Sequence, residues 1–260
     1  MRNHWSAEKL IEFVVDSTKR GRSDSVPFYH LEFDRFFPDD LYDAMLEALP
    51  EEADYRAMSG RAKVGSSRDD GKPTRTKIDL FPEYIRHITP QKRAVWDVVG
   101  SALRSKELTE VLVERLAPGL EHRFGVNFAK VRMYPLPILT RDIPGYRVYQ
   151  HTDTMWKGIT VQFYLPPDNS ITHVGTVFNE RLPDGTIPEV KRMLFARNSG
   201  YAFAVGDNTW HSVDPVGPEV ATRDSILLTY FVDRGPWRYF RNRGRRIGNA
   251  LLNDIRNFGL

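Results

Sequence analysis

From Asn127 onward the chain breaks into short strand-like runs divided by Pro, Gly and Asp. That texture restricts the second half to an all-β barrel or sandwich. The runs are 128–135, 146–150, 158–165, 175–178, 191–196, 199–205 and 225–233. Gly235-Pro236 ends the series, and a last helix is expected over about 247–257.

The first half has a different period. Ser6 precedes Leu10, Ile11, Val14 and Val15 at helical spacing, so a capped amphipathic helix is expected there. Residues 28–33 alternate as a strand, and Pro38 opens a helix with Leu41, Met45 and Leu49 on its buried stripe. Residues 90–116 read as helix, broken near Lys106. Between them, 59–75 is rich in Gly, Ser and charge and reads as a loop, either a lid or binding loop or a plain disordered loop. No polar linker separates the halves. The expectation is one domain over 1–260, of mainly β (α+β) class. Helical support occupies 1–126, the β core 127–234 and a basic tail 235–260.

Composition narrows the chemistry. The 260 residues are 41% hydrophobic, enough for a core. There is no cysteine, which excludes disulfides, thiolate metal sites and cysteine nucleophiles, so any metal must be held by His, Asp or Glu. The N-terminus lacks the apolar centre of a signal peptide, and no stretch is long enough to span a bilayer, so a cytoplasmic protein is expected. Net charge is +3, and its excess is local: Arg234, Arg238, Arg241, Arg243, Arg245 and Arg246 face no acid in sequence. That run reads either as a solvated face or as a dock for an acidic partner. A nucleic-acid partner is not expected.

One constellation carries chemistry. In Gln150-His151-Thr152-Asp153, the imidazole and the carboxylate stand two residues apart at a strand end, so both point to one side. Gly206-Asp207-Asn208 is a turn signal that delivers His211 to a new strand far along the chain. Two His and one carboxylate form a facial metal site with open positions. Arg223 and Ser225 then project together from a later strand, where a guanidinium fork and a hydroxyl can hold a carboxylate.

These motifs, His151-Thr152-Asp153, Gly175-Thr176-Val177-Phe178, His211-Ser212-Val213-Asp214-Pro215 and Ala221-Thr222-Arg223, resemble the iron(II)/2-oxoglutarate-dependent dioxygenases, in their prolyl-4-hydroxylase-like branch. The resemblance implies a double-stranded β-helix (jelly roll, cupin-like) core buttressed by the N-terminal helices. It implies Fe(II) at His151, Asp153 and His211, 2-oxoglutarate anchored by Arg223 and Ser225, and O2 as oxidant. It also points to Tyr134 as a cosubstrate-binding tyrosine. Retention of the Asp153 carboxylate favours hydroxylation, with succinate and CO2 as co-products.

Thr160, Gln162 and Tyr164 alternate on the following strand, either lining the pocket or facing solvent. Trp156 and Trp210 flank the metal positions as pocket walls or core. Gln162, Tyr164 and Trp156 are the substrate candidates, and a small molecule or glycoconjugate is the expected substrate. Two other classes stay open on residues alone. One is a cupin-like metal-dependent isomerase or hydrolase, which would not need Arg223. The other is a non-catalytic β-sandwich binding module for an acidic partner, which would not need the metal set.

Overall fold

Ser6 begins the first helix as the spacing predicts: its hydroxyl accepts a hydrogen bond from the Lys9 amide, and Leu10 and Val14 turn inward. In the computed structural model, residues 5–58, 64–65 and 73–233 are described. The helices are α1 (Ala7–Arg20), α2 (Asp39–Glu47), α3 (Pro90–Leu103), α4 (Lys106–Arg115) and α5 (Ala117–Phe124). Helix α3 ends at Leu103, two residues before Ser105, whose side chain caps α4 through the Leu108 amide, so the expected break falls where a new N-cap is available. Helix α5 is not legible in the sequence because Pro118 and Gly119 look like breakers. Pro118 lies in the first turn, where no amide is required. A Cβ on Gly119 would come within 2.9 Å of Ala204, so the glycine permits close helix-to-sheet packing.

The strands before the β core are β1 (Arg22–Asp24), β2 (His30–Phe33), β3 (Arg56–Ala57), β4 (Val64–Gly65) and β5 (Arg75–Asp79). The core follows as β6 (Met133–Asp142), β7 (Arg147–His151), β8 (Lys157–Tyr164), β9 (Val177–Asn179), β10 (Glu189–Arg192), β11 (Gly200–Ala204), β12 (His211–Val213) and β13 (Arg223–Val232). One sheet runs β1-β2-β11-β8-β13-β6-β5-β3 and the other β10-β9-β12-β7-β4. The core strands thus divide between the sheets as β11-β8-β13-β6 and β10-β9-β12-β7, with every pairing antiparallel. This is the jelly-roll connectivity of a double-stranded β-helix, the fold class expected.

Two apolar layers hold it. Between the larger sheet and the helices lie Val14, Leu41, Trp96, Val99, Leu112, Phe163, Ile226 and Leu228, all essentially inaccessible. Between the two sheets lies an aromatic layer with Phe28, Tyr164, Phe178, Tyr201 and Phe203. Most of its contacts are edge-on, with the Phe178 and Tyr201 ring centres 5.1 Å apart at 85°, while Tyr201 and Phe203 stack. Strand β8 feeds both layers by alternation: Ile159, Val161 and Phe163 face the helices, and Tyr164 the barrel interior.

Two boundaries differ from the sequence reading. The run at 128–135 is displaced, because 128–130 forms a 3-10 turn and β6 continues to Asp142 through Pro135 and Pro137. Both prolines fall where β6 has β13 on one side only, since β5 covers Ile138–Asp142, and proline is tolerated where one edge of a strand is unpaired. The segment read as a loop over 59–75 supplies β4, which pairs with β7, and the start of β5, which pairs with β6. Its remaining residues up to 72, the arginine run 234–246 and the expected helix at 247–257 lie outside the described residues. Among the described residues no helix is long and apolar enough to cross a membrane.

Candidate metal centre and the polar barrel interior

His151 is the last residue of β7 and His211 the first of β12, and the antiparallel register sets them directly opposite each other. Their ring centres are 4.3 Å apart. Asp153 follows His151 by two residues, as the sequence spacing requires. One ligand-capable atom from each of the three residues lies within 4.8 Å of the others. Asp153 and His211 are buried and His151 is partly open, so the cluster sits at the barrel mouth.

Each imidazole is oriented the same way. Nδ1 of His151 is 2.9 Å from the Tyr149 carbonyl oxygen, and Nδ1 of His211 is 3.0 Å from that of Thr209. A carbonyl only accepts, so both rings carry their proton on Nδ1 and present a bare Nε2, the tautomer a metal ligand needs. Asp153 receives the Lys157 ammonium on Oδ1 at 2.6 Å and the Thr160 hydroxyl on Oδ2 at 2.7 Å. Burial opposes ionisation of Asp153, and the Lys157 ammonium and the Thr160 hydroxyl act against it, so the carboxyl is held well below the usual range. Two neutral imidazoles and an ionised carboxylate fit a divalent cation of the facial-triad class.

Behind the cluster the barrel is polar. Thr160 and Gln162 are buried with Tyr164, which resolves the two readings of that strand in favour of the interior. Gln162 donates to the Ser225 hydroxyl at 3.0 Å and accepts from the Tyr201 hydroxyl at 2.8 Å. Tyr201 and Tyr164 both reach the Thr176 hydroxyl, at 2.9 and 3.0 Å, and Ser225 pairs with Thr140 at 3.0 Å. Ser225 is therefore tied into this network in the structure.

Arg223 lies at the other end of the polar chain, with none of its surface exposed. Its Nη1 donates to Asp142 at 2.8 Å, its Nε to the Val174 carbonyl at 2.6 Å, and Nη2 has no hydrogen-bond partner. The neighbouring Asp224 faces the opposite way and pairs with Arg141. Sequence reasoning assigned Arg223 to an external anion and missed Asp142, whose signal is visible only in the register that pairs it with both Arg223 and Arg75. Arg75 grips Asp142 with two hydrogen bonds of 2.5 and 2.7 Å.

The remaining candidates are placed apart. Tyr134 lies at the far end of β6 from Asp142, its ring stacked on Phe231 at 5.7 Å. Trp156 is 40% exposed at the mouth, next to Met155 at 47% and near Tyr149 at 50%, so it is rim rather than wall. Of the other histidines, His173 faces Glu219, and His87 and His122 face Asp54 and Asp207. A second group, Asp24, His30 and Glu32, has ligand-capable atoms together, but the Lys191 ammonium already bridges its two carboxylates.

No family model matches the sequence, and no curated protein is similar to it. In shape, the chain is similar to a prolyl-4-hydroxylase from Pseudomonas putida, at 17% identity and a TM-score of 0.48, over 85% of this chain and 98% of that one. It is similar to a prolyl hydroxylase from Trichoplax adhaerens solved with a hypoxia inducible factor peptide fragment, at 11% identity and a TM-score of 0.48, over 86% and 90% of the two chains. A 2OG-Fe(II) oxygenase family oxidoreductase from Burkholderia pseudomallei shares 12% identity at a TM-score of 0.44, over 88% and 91%.

Proposed function

We propose that the chain is an Fe(II)- and 2-oxoglutarate-dependent dioxygenase that hydroxylates a C–H bond of a small molecule or glycoconjugate. The observation that carries this reading is the His151–Asp153–His211 cluster, with both imidazoles fixed by backbone carbonyls so that Nε2 is presented. When bound, iron(II) with 2-oxoglutarate and O2 supplies the oxidising power for hydroxylation, releasing succinate and CO2. His151, Asp153 and His211 would hold the metal. Thr160 fixes one oxygen of Asp153, and Lys157 keeps the carboxylate ionised. The Gln162–Tyr201–Thr176 network supplies polar groups to a buried interior, while the aromatic layer keeps bulk water out. Arg223, with its cationic fork half committed, suits a carboxylate at the closed end. The exposed Tyr149, Met155 and Trp156 give the mouth an apolar rim on which a sugar or other ring can lie.

The engagement of Arg223 by Asp142 favours one rival. A metal-dependent isomerase or hydrolase on the same barrel would use that ion pair purely as structure. Mixing the protein with Fe(II) and 2-oxoglutarate under anaerobic conditions separates the two. A weak visible charge-transfer band, lost in His211→Ala and weakened in Arg223→Gln, is the expected result. A spectrum without the band, from protein that still binds Fe(II), would reject the oxygenase reading.

A further inference from the structure

Two arginines beside the metal cluster are held by aromatic rings instead of acids. The Arg147 guanidinium lies 4.0 Å from the centre of the Tyr149 ring, and that of Arg181 lies 5.5 Å from the centre of the Trp210 indole. Among the described residues neither guanidinium takes part in a hydrogen bond or an ion pair, whereas Arg141, Arg192 and Arg197 each hold an aspartate. Tyr149 is half exposed and Arg181 exposed, with Arg147 and Trp210 partly so. An arginine laid on a ring keeps its N–H edge available to a carboxylate or phosphate, and the ring holds that edge in one orientation.

The register sets both pairs on one face. His211 stands opposite His151 across the β12–β7 ladder, and both turn into the barrel. Trp210, one residue before His211, therefore lies on the outer face of the smaller sheet. Arg181 reaches it from the segment after β9, where the Asn179 amide donates to the Trp210 carbonyl. Val148 packs inward, so Arg147 and Tyr149 on either side of it point outward. Trp210 falls opposite Thr152, three residues beyond Tyr149 on the neighbouring strand, a separation of about 11 Å. Both rings are indexed to the metal ligands, because the Tyr149 carbonyl orients His151 and Trp210 adjoins His211. Met155 and Trp156 stand exposed at the same mouth.

We propose that Arg147–Tyr149 and Arg181–Trp210 form a platform for the acidic saccharide portion of the substrate. Each ring borders the apolar C–H surface of a sugar, and each guanidinium takes a sugar carboxylate. Two cations on pairs so spaced suit a ligand with sparse charge. A nucleic-acid strand carries a charge on every nucleotide, and the exposed Glu180 and Asp207, close in sequence to Arg181 and Trp210, oppose so densely charged a chain. The four residues select the substrate and take no part in its oxidation. This inference rests on the oxygenase reading and narrows its substrate to a saccharide bearing carboxylates. The sequence reading placed Trp210 as pocket wall or core and had no signal for either arginine.

The test is calorimetric titration of the full chain, with Mn(II) present, by trigalacturonate and by maltotriose, an uncharged trisaccharide. Wild type should bind trigalacturonate roughly tenfold more tightly, and added salt should erode that preference. Arg147→Gln and Arg181→Gln should each lower the affinity for trigalacturonate roughly three- to tenfold, leave maltotriose unchanged and flatten the salt dependence. Arg147→Lys should restore only part of the loss, because an ammonium does not present the guanidinium fork. Both arginines reach the surface, so far-ultraviolet circular dichroism and Mn(II) affinity should match wild type in every variant. Undiminished trigalacturonate affinity when both arginines are replaced by Gln would overturn the platform. So would equal wild-type affinity for the two trisaccharides, no binding of either, or tighter binding of a thymidine hexanucleotide. The Fe(II) and 2-oxoglutarate charge-transfer band, recorded on the same protein, reports the oxygenase reading separately. Its presence without a preference for the acidic sugar rejects this inference alone. Its absence from protein that keeps the preference rejects the oxygenase reading and leaves a saccharide-binding site.

Discussion

His151 and His211 stand opposite each other across the β7–β12 ladder, and each bonds the carbonyl of the residue two places earlier in its own chain segment. Each strand therefore orients its own ligand, and the register brings the two together. Replacing either residue by Ala removes one of three ligands and leaves the other carbonyl lock in place. Mn(II) or Fe(II) affinity should fall at least tenfold in His151→Ala and in His211→Ala, with far-ultraviolet circular dichroism unchanged. Isothermal titration with metal checks this, and wild-type affinity in His211→Ala would remove that residue from the site.

Lys157 is the protein's own cation on Asp153, at 2.6 Å. An ammonium on one carboxylate oxygen competes with a dication for the same negative charge, and the site is mostly dry, so the competition is weakly screened. Lys157→Met should therefore tighten metal binding several-fold, whereas Thr160→Val should weaken it by releasing the other oxygen. Opposite signs from two partners of one carboxylate form the prediction. A drop in affinity for both would mean that Lys157 helps to place Asp153.

Asp142 carries two fully or nearly buried arginines. Its removal leaves both cations unpaired, and breaking a buried pair by deleting one partner typically costs about 3–5 kcal/mol. Asp142→Ala should lose stability on that scale in urea unfolding. Arg75→Gln should lose less, because Asp142 then still has Arg223. Equal losses would mean that the two arginines do not depend on Asp142 in the way the geometry implies.

The His151–Asp153–His211 cluster and the jelly-roll strands were legible because both follow local rules. The His151 and Asp153 spacing is a strand property, and the alternation of Thr160, Gln162 and Tyr164 against Val161 and Phe163 is a period of two. The interior side of that alternation could not be chosen from sequence, since polar residues on one strand face suit water as well as a polar cavity. The pairing of Asp142 with Arg75 and Arg223 escaped for a different reason. Asp142 gains its meaning from lying opposite Arg223, some eighty positions later, and opposite Arg75, which the sequence placed in a loop. Long-range register is not written in any window of the chain. Prolines misled in both directions, since Pro135 and Pro137 sit inside β6 and Pro118 inside α5, at positions where no amide is needed.

Lys191 on β10 ties the smaller sheet to Asp24 and Glu32 on β1 and β2 of the larger one. The clamp has a defined acid limit. The hydrogen bond from Lys191 lowers the Asp24 pKa to about 2 from an ordinary 3.8, aided by the Val26 amide. Between those values the unfolded chain binds a proton that the folded chain does not, so stability rises with pH in that window. The contribution is complete above about pH 4 and disappears as pH falls through about 2. Glu32 reinforces the trend: burial raises its pKa, yet Lys191 outweighs burial and leaves the net shift downward. Much of Asp24 is open to solvent, so the effect should be modest and salt-sensitive. Urea midpoints measured from pH 7 to pH 2 should show Lys191→Met less stable than wild type at neutral pH, with the gap closing below pH 4. A gap that stays constant down to pH 2 would mean that Lys191 contributes through packing of its aliphatic stem rather than through its charge.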